Sequence, residues 1–151
     1  MSADPDFPLP DVTWPPAQPF WAAAAQRELR LPRCDSCMTL NAAGETACRR
    51  CDGSTFTWER LSGDGTLYSW TYVRRAFLPQ FAGEVPFLTG LVGVVEDPAV
   101  RLATRLVECE PGDLRIDLPV EVVFAALPFP GAAAPLLAPY FRPRGSGTSQ
   151  R

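Results

Sequence analysis

The 151-residue chain is 46% hydrophobic and carries a net charge of −3, so a buried core is expected and the acidic balance argues against a nucleic-acid-binding surface. The chain contains no histidine, and all 14 basic residues are arginine, which excludes acid–base catalysis by histidine and Schiff-base chemistry on lysine. The 17 prolines predict little helix and many short strands.

The segment from residue 1 to residue 18 is rich in proline and is predicted to be an extended lead. It shows no apolar core of a secretory signal peptide, and no apolar run in the chain approaches membrane-spanning length. These observations favour a cytoplasmic location without membrane association. Phe20 and Trp21 are followed by four alanines, which predict a short helix over residues 19–27. The two aromatic side chains either pack on the chain's own fold or dock on a partner.

Four cysteines form two C-x-x-C pairs that are separated by ten residues, namely Cys34 with Cys37 and Cys48 with Cys51. This spacing is typical of a zinc ribbon, in which four thiolates surround one Zn²⁺ tetrahedrally. Because every coordination position is then filled by sulfur, the predicted site is structural rather than catalytic. The helix and the ribbon together are expected to span residues 19–61.

The fifth cysteine, Cys109, stands between Glu108 and Glu110, so we expect like charge to disfavour its thiolate and to make it unreactive. The sequence offers no nucleophile next to a base and no G-x-S-x-G elbow. We therefore expect no catalytic activity from this chain alone.

The region from residue 62 to residue 143 reads as all β. Ser62-Gly63-Asp64-Gly65 breaks the chain, and a strand follows in which Tyr68, Trp70 and Tyr72 are predicted to share one face. About five short strands without a helical crossover fit an OB-fold, an SH3-like barrel or a partial sandwich. Residues 127–139 are predicted to be loose, and residues 144–151 to be a disordered tail.

Several segments together resemble a bacterial and archaeal family that joins a rubredoxin-like zinc ribbon to an OB-fold and is associated with acyl-CoA enzymes. The segments that carry the resemblance are residues 19–21, 31–37, 48–51, 61–75, 113–116, 120–124 and 141–143. The resemblance implies a mainly β protein with a short N-terminal helix, a four-cysteine structural zinc ribbon and a five-stranded OB-fold barrel. Three places depart from the family pattern: Met38 and Asp117 stand where glycine is usual, and residues 41–43 lack a usual proline pair.

The resemblance also implies a role. Members of the family are commonly non-catalytic accessory subunits of thiolase-fold enzymes, including thiolases, synthases and lipid-transfer-protein-like aldolases. Some are fused to or paired with hydratase-type enzymes of lipid and steroid side-chain breakdown. Such a subunit forms a hetero-oligomer with its enzyme and can help to shape the channel for CoA.

Candidate binding residues follow from the chemistry of CoA, because arginine binds phosphate through two parallel hydrogen bonds. The candidates are Arg74, Arg75, Arg101 and Arg105, with a solvated arginine face as the alternative. Phe77 lies in an apolar loop over residues 76–83, which either lines an acyl path, faces a partner or packs on itself.

Two other functions stay open on the sequence. A single-stranded nucleic-acid-binding module would stack bases on Tyr68, Trp70 and Tyr72, although the acidic net charge of the chain opposes binding of phosphates. A free-standing acyl-CoA-binding protein would act without an enzyme partner.

Overall fold

The structure is a computed structural model that describes residues 9–127 and 136–145. The described chain is mainly β, with one α-helix and two short 3₁₀ turns at Pro79–Phe81 and Pro111–Asp113. The remaining elements are α1 (Gln18–Ala25), β1 (Arg30–Cys34), β2 (Phe56–Arg60), β3 (Asp64–Val73), β4 (Phe87–Val94), β5 (Asp97–Leu106), β6 (Pro119–Ala126) and β7 (Leu137–Pro143).

The chain divides into two compact units. One comprises Met1–Leu61 with Phe124–Pro139, and the other comprises Ser62–Val123 with Tyr140–Arg151. The limits that the sequence suggested for lead, ribbon, barrel and tail stay predictions. The start of the lead, most of the predicted loose segment and the end of the tail (residues 1–8, 128–135 and 146–151) lie outside the described residues.

The described part of the lead contains turns at residues 12–13 and 15–17. The carboxylate of Asp11 accepts hydrogen bonds from the backbone N–H and the hydroxyl of Thr13, at 2.9 and 2.7 Å. Such local side-chain bonds favour a turn over an extended chain. Helix α1 then begins one residue before Pro19, which suits a first helical turn because it has no N–H to leave unpaired.

Helix α1 ends in a Schellman motif. The N–H of Arg27 bonds to the carbonyl of Ala24, and that of Glu28 bonds to the carbonyl of Ala23. Arg27 adopts a φ of 59° at the position where glycine is usual. The helix therefore ends at Ala25, two residues before its predicted end, and the chain turns into β1.

Strands β1 and β2 pair antiparallel, with Pro32 opposite Trp58 and Cys34 opposite Phe56. Leu31 and Cys34 are fully buried, so the pair fixes the first knuckle of the cysteine cluster to a rigid element.

The other strands close a barrel in the order β3-β4-β5-β7-β6. Strand β3 pairs antiparallel with β4 and with β6, and β4 pairs antiparallel with β5. Strands β5 and β7 run parallel where Leu106 meets Phe141. A closed five-stranded barrel of this kind is the OB architecture, and it confirms the predicted fold class over the SH3-like barrel and the sandwich. Its fully buried side chains are Leu67, Val92, Val94, Val120 and Phe141.

A β-bulge in β3 corrects the predicted faces of that strand. Leu67 pairs with Val92, but Ser69 pairs with Leu91, so Tyr68 is the extra residue. Beyond the bulge, Trp70 and Tyr72 share the side of the buried Leu67, because directly paired residues project to the same side of a sheet. The sequence had placed Leu67 on the opposite face. Tyr68, Trp70 and Tyr72 therefore do not form one exposed stacking face.

Two glycines at the start of the barrel are required by space and conformation. Gly63 has a φ of 87°, and a Cβ there would lie 2.4 Å from Val122. At Gly65 a Cβ would lie 2.5 Å from Val92 and 2.8 Å from the carbonyl oxygen of Gly93. The predicted break at residues 62–65 is therefore also a close approach of three strands. Over the described ranges, none of the helices is both long enough and apolar enough to cross a membrane.

Candidate metal centre and exposed surface

Two similar knuckles bring the four predicted ligands together. In the first, the N–H of Met38 bonds to the carbonyl of Cys34 at 2.9 Å, and in the second the N–H of Asp52 bonds to the carbonyl of Cys48 at 3.0 Å. Each bond curls its C-x-x-C pair so that both sulfurs project to the same side. The sulfur atoms of all four cysteines lie within 4.8 Å of one another.

The cluster fits a tetrahedral Zn²⁺. The Sγ atoms of Cys34 and Cys51 are 3.5 Å apart, and those of Cys37 and Cys48 are 3.6 Å apart. Zn–S bonds of about 2.3 Å in a tetrahedron place sulfurs about 3.8 Å from one another. All four sulfurs are soft ligands, and none comes from an oxidised pair, so the donor set suits zinc and leaves no open coordination position.

The electrostatics of the cluster call for a cation. Burial disfavours the thiolate of Cys48, but the backbone N–H groups of Arg50 and Cys51 and the amide of Asn41 outweigh it and lower the pKa of Cys48 to about 6. The backbone N–H of Gly53 favours the thiolate of Cys51, yet the neighbouring sulfurs of Cys37 and Cys34 raise the pKa of Cys51 to about 12. Four thiolates repel one another at this distance, so the cluster would need a divalent cation to keep all four sulfurs deprotonated.

Asn41 is a buried polar residue that sequence reasoning had treated only as part of a loop. Its side-chain amide donates to the carbonyl of Thr39 at 2.9 Å and to Sγ of Cys48 at 3.5 Å. Its side-chain oxygen accepts from the N–H of Arg49 at 2.9 Å. Asn41 therefore ties the two knuckles together, and the only signal in the sequence was a polar residue between Leu40 and Ala42.

Gly53 completes the cradle. A Cβ on this residue would stand 3.2 Å from the sulfurs of both Cys34 and Cys51. Its carbonyl accepts from the N–H of Cys48 at 2.8 Å. The Asp52-Gly53 turn thus forms part of the wall of the candidate metal centre.

The predicted binding arginines lie in the barrel unit and divide into two groups. Arg74 and Arg75 follow β3 and are exposed; the guanidinium of Arg74 lies 4.9 Å from the ring centre of Tyr72. Arg101 and Arg105 lie on β5. The guanidinium of Arg101 covers the ring of Tyr68 at 3.6 Å.

Arg105 differs from the other three because its side chain is only 19% exposed. Its NH1 group donates to Glu84 at 3.0 Å, and its guanidinium lies 4.3 Å from the ring centre of Phe87. This pairing holds the loop before β4 on the barrel, so Arg105 has a structural task.

Phe77 is 89% exposed, the largest exposed fraction among the large hydrophobic residues that are exposed in the described chain. Phe20 and Trp21 are half-buried and pack edge to face, with ring centres 5.2 Å apart. They therefore present a smaller free surface than Phe77.

Cys109 is half-buried. Burial, followed by the charges of Asp113 and Glu110, raises the pKa of its thiol. Glu108 is not among the causes of that shift; its carboxylate accepts a hydrogen bond from Arg142 at 2.7 Å. The expected direction is therefore right, whereas burial and Asp113 replace Glu108 as causes.

Sequence comparisons find relatives of the barrel region and of most of the chain. Residues 58–125 match the family model described as the C-terminal OB-fold domain of ChsH2. A probable enoyl-CoA hydratase alpha subunit of Thermomonospora curvata is 34% identical over 125 residues. A DUF35 domain-containing scaffold protein of Methanocaldococcus jannaschii is 30% identical over 93 residues. The aligned part covers 82% and 61% of this chain and spans 36% and 64% of those relatives' own lengths, respectively.

Solved structures are similar as well. A chain of an Ltp2–ChsH2(DUF35) aldolase superposes with a TM-score of 0.73 at 29% identity, over 89% of this chain and 98% of that one. A DUF35 protein of Sulfolobus solfataricus superposes with a TM-score of 0.57 at 14% identity, over 75% of this chain and 81% of that one; this second likeness concerns the fold alone.

Proposed function

We propose that the chain belongs to the DUF35 family of OB-fold proteins and that it is a non-catalytic accessory subunit of a thiolase-fold acyl-CoA enzyme. The observation that carries the proposal is the likeness to a chain of the Ltp2–ChsH2(DUF35) aldolase, nearly all of which this chain covers. The relative that is named a scaffold protein supports the same role.

The zinc ribbon supports an architectural rather than a chemical part in that role. Cys34, Cys37, Cys48 and Cys51 would hold the ion as four thiolates. The ion would cross-link the two knuckles and would have no coordination position left for a substrate. Its binding energy would contribute to the folding of this small segment. In this proposal the chain acts through the surface that binds the partner enzyme.

Co-expression tests the proposal directly. The chain is produced together with each thiolase-fold protein of its genome, and complexes are identified by size-exclusion chromatography with light scattering. We expect one thiolase-fold protein to form a stable hetero-oligomer and to lose solubility or turnover without this chain. If every such protein is equally soluble and active alone, and none co-elutes with the chain, the proposal is wrong.

A second candidate partner is favoured by the relative from Thermomonospora curvata, which is named as a hydratase subunit and is nearly three times as long as the aligned part. Under this alternative the chain would accompany a hydratase that acts on an enoyl-CoA. The same co-expression with the hydratase-type proteins of the genome distinguishes the two, since each predicts a different stable complex.

The substrate class is part of the proposal. We propose an acyl-CoA of lipid or steroid side-chain metabolism. The family resemblance supports this class, and the name of the Thermomonospora curvata relative includes an enoyl-CoA. Binding of CoA to the isolated chain is expected to be weak if the CoA site is shared with the enzyme. Isothermal titration of CoA into the chain and into the complex measures that difference.

A further inference from the structure

An exposed apolar and basic patch lies on the barrel unit, between β3 and β4. We name it the Phe77 patch; it consists of Arg74, Arg75, Phe77 and Leu78 together with the adjoining groove. Phe77 and Leu78 are 89% and 48% exposed. The groove has a volume of about 190 Å³, and its lining is almost wholly apolar: Val73, Arg75, Ala76, Phe77, Leu78, Phe81, Val85 and Phe87.

The loop that carries the patch is anchored at its other half. Phe81 packs near Phe87, with ring centres 6.3 Å apart, and Glu84 is held by Arg105 at 3.0 Å. The N–H of Phe81 bonds to the carbonyl of Leu78 at 3.0 Å. These contacts hold the loop in place and do not involve the ring of Phe77, which is almost fully exposed. An aromatic side chain held in water by an ordered loop is typical of an interaction anchor.

The charge of the patch is opposite to that of the chain. The chain has a net charge of −3, yet residues 65–83 contain Arg74 and Arg75 and no acidic residue. Both arginines are exposed, and Glu84, the next acid along the chain, is engaged by Arg105. A complementary surface would therefore be acidic at its rim and apolar at its centre.

We infer that the Phe77 patch is the surface by which this chain docks on its partner enzyme. Phe77 and Leu78 enter an apolar recess of the partner, and carboxylates at the rim of that recess pair with Arg74 and Arg75. The inference rests on the proposed function, since it names the surface that an accessory subunit would use. The anchor is buried at the centre and the charged pairs surround it.

Two other occupants fit the patch less well. A second copy of this chain would bring four arginines together without a carboxylate from residues 65–83 to balance them, and like charges across an interface are unfavourable. An anionic membrane is usually recognised by clusters of about four to eight basic residues, whereas the patch offers two.

The test compares patch variants with matched controls in the complex with the thiolase-fold protein. Phe77→Asp removes the anchor, and the double change Arg74→Glu with Arg75→Glu reverses the rim. Ile116 is 59% exposed and its neighbour Arg115 is exposed, so Ile116→Asp and Arg115→Glu make changes of the same kind outside the patch, one residue at a time. Zinc content and circular dichroism establish that each variant is folded, which is expected because all of these side chains are exposed.

We expect Phe77→Asp to raise the dissociation constant by about 30-fold or more, as hot-spot aromatic residues do. The double reversal should slow association and reverse its dependence on salt, because added salt then screens repulsion instead of attraction. Both controls should bind as the unchanged chain does. If the unchanged chain forms the complex and Phe77→Asp forms it equally well, the docking inference is wrong while the accessory role stands. If no complex forms at all, both are wrong.

Two further measurements address the other occupants on the isolated chain. Sedimentation velocity tests for a dimer, and flotation with phosphatidylserine vesicles tests for membrane binding. We expect a monomer that does not float with the vesicles. A dimer, or vesicle binding, that is abolished by Phe77→Asp would overturn the inference in favour of that occupant.

Discussion

Met38 and Asp52 adopt the same left-handed backbone conformation at equivalent places in the two knuckles, with φ angles of 63° and 59°. Each is the residue directly after a C-x-x-C pair, and each donates its N–H to the carbonyl of the first cysteine of that pair. Asp adopts this conformation at little cost because its short polar side chain can form local hydrogen bonds, whereas the side chain of Met offers no such compensation.

Replacing Met38 with glycine should therefore stabilise the zinc-loaded protein by about 1 kcal/mol, since glycine adopts a positive φ without steric cost. Little packing is lost because Met38 is 62% exposed, and the bond from Arg33 to its carbonyl involves only backbone. Chemical denaturation of the zinc-loaded protein measures the change in the free energy of unfolding. Asp52→Gly is the control and should raise that free energy by less. If Met38→Gly stabilises the protein no more than Asp52→Gly does, or destabilises it, the conformation of Met38 is not strained.

Asn41→Leu should weaken zinc binding by about 10- to 100-fold, the range typical of residues that orient metal ligands. The leucine removes the donor to Cys48 and leaves the N–H of Arg49 without its acceptor. Competition with a chromophoric chelator measures the affinity, and the thiolate-to-cobalt absorption of the Co²⁺ form reports the geometry of the sulfurs. Gln26→Leu, at an exposed position in the same unit, should leave both readings unchanged; an unchanged affinity in Asn41→Leu would contradict the assigned role.

The parts of the structure that could be predicted from the sequence are those that local spacing controls. Two C-x-x-C pairs imply one cluster of four sulfurs whatever surrounds them, and the short apolar segments predicted the number of strands in the barrel. The family resemblance then resolved the choice between barrels that the strand pattern left open. It also marked Met38 and Asp117 as unusual, and both have positive φ angles.

The parts that could not be predicted depend on long-range register. A single extra residue at Tyr68 moves Leu67 to the face of Trp70, and nothing within the strand announces a bulge. The exposure of Phe77 and the burial of Asn41 are likewise set by residues distant in sequence. The nucleic-acid hypothesis weakens for the same reason, because it needed three aromatic residues on one open face.

Replacing Cys34 or Cys51 with serine should abolish zinc binding and unfold the ribbon, since structural zinc sites contribute about 10 kcal/mol or more to the folding of small modules. Zinc content by mass spectrometry and loss of the β1–β2 pairing by hydrogen exchange measure the effect, and co-expression shows whether the partner is lost. Cys109→Ser is the matched control and should keep zinc, fold and partner. A cysteine-to-serine variant that lost zinc yet assembled normally would contradict an architectural role for the ion.

Cys109 should react slowly with iodoacetamide at pH 7 to 8, with an apparent pKa above the ordinary thiol value of about 8.5. Burial and the charges of Asp113 and Glu110 disfavour its thiolate, so the rate should rise with pH later than it does for a free cysteine. Asp113→Asn should lower the apparent pKa and speed alkylation at pH 8, because Asp113 contributes more to the raised pKa than Glu110 does. Glu108→Gln should change little, since that carboxylate faces Arg142. Zinc protects the other four thiols during the measurement. A larger effect of Glu108→Gln than of Asp113→Asn would contradict the causes assigned to the shift.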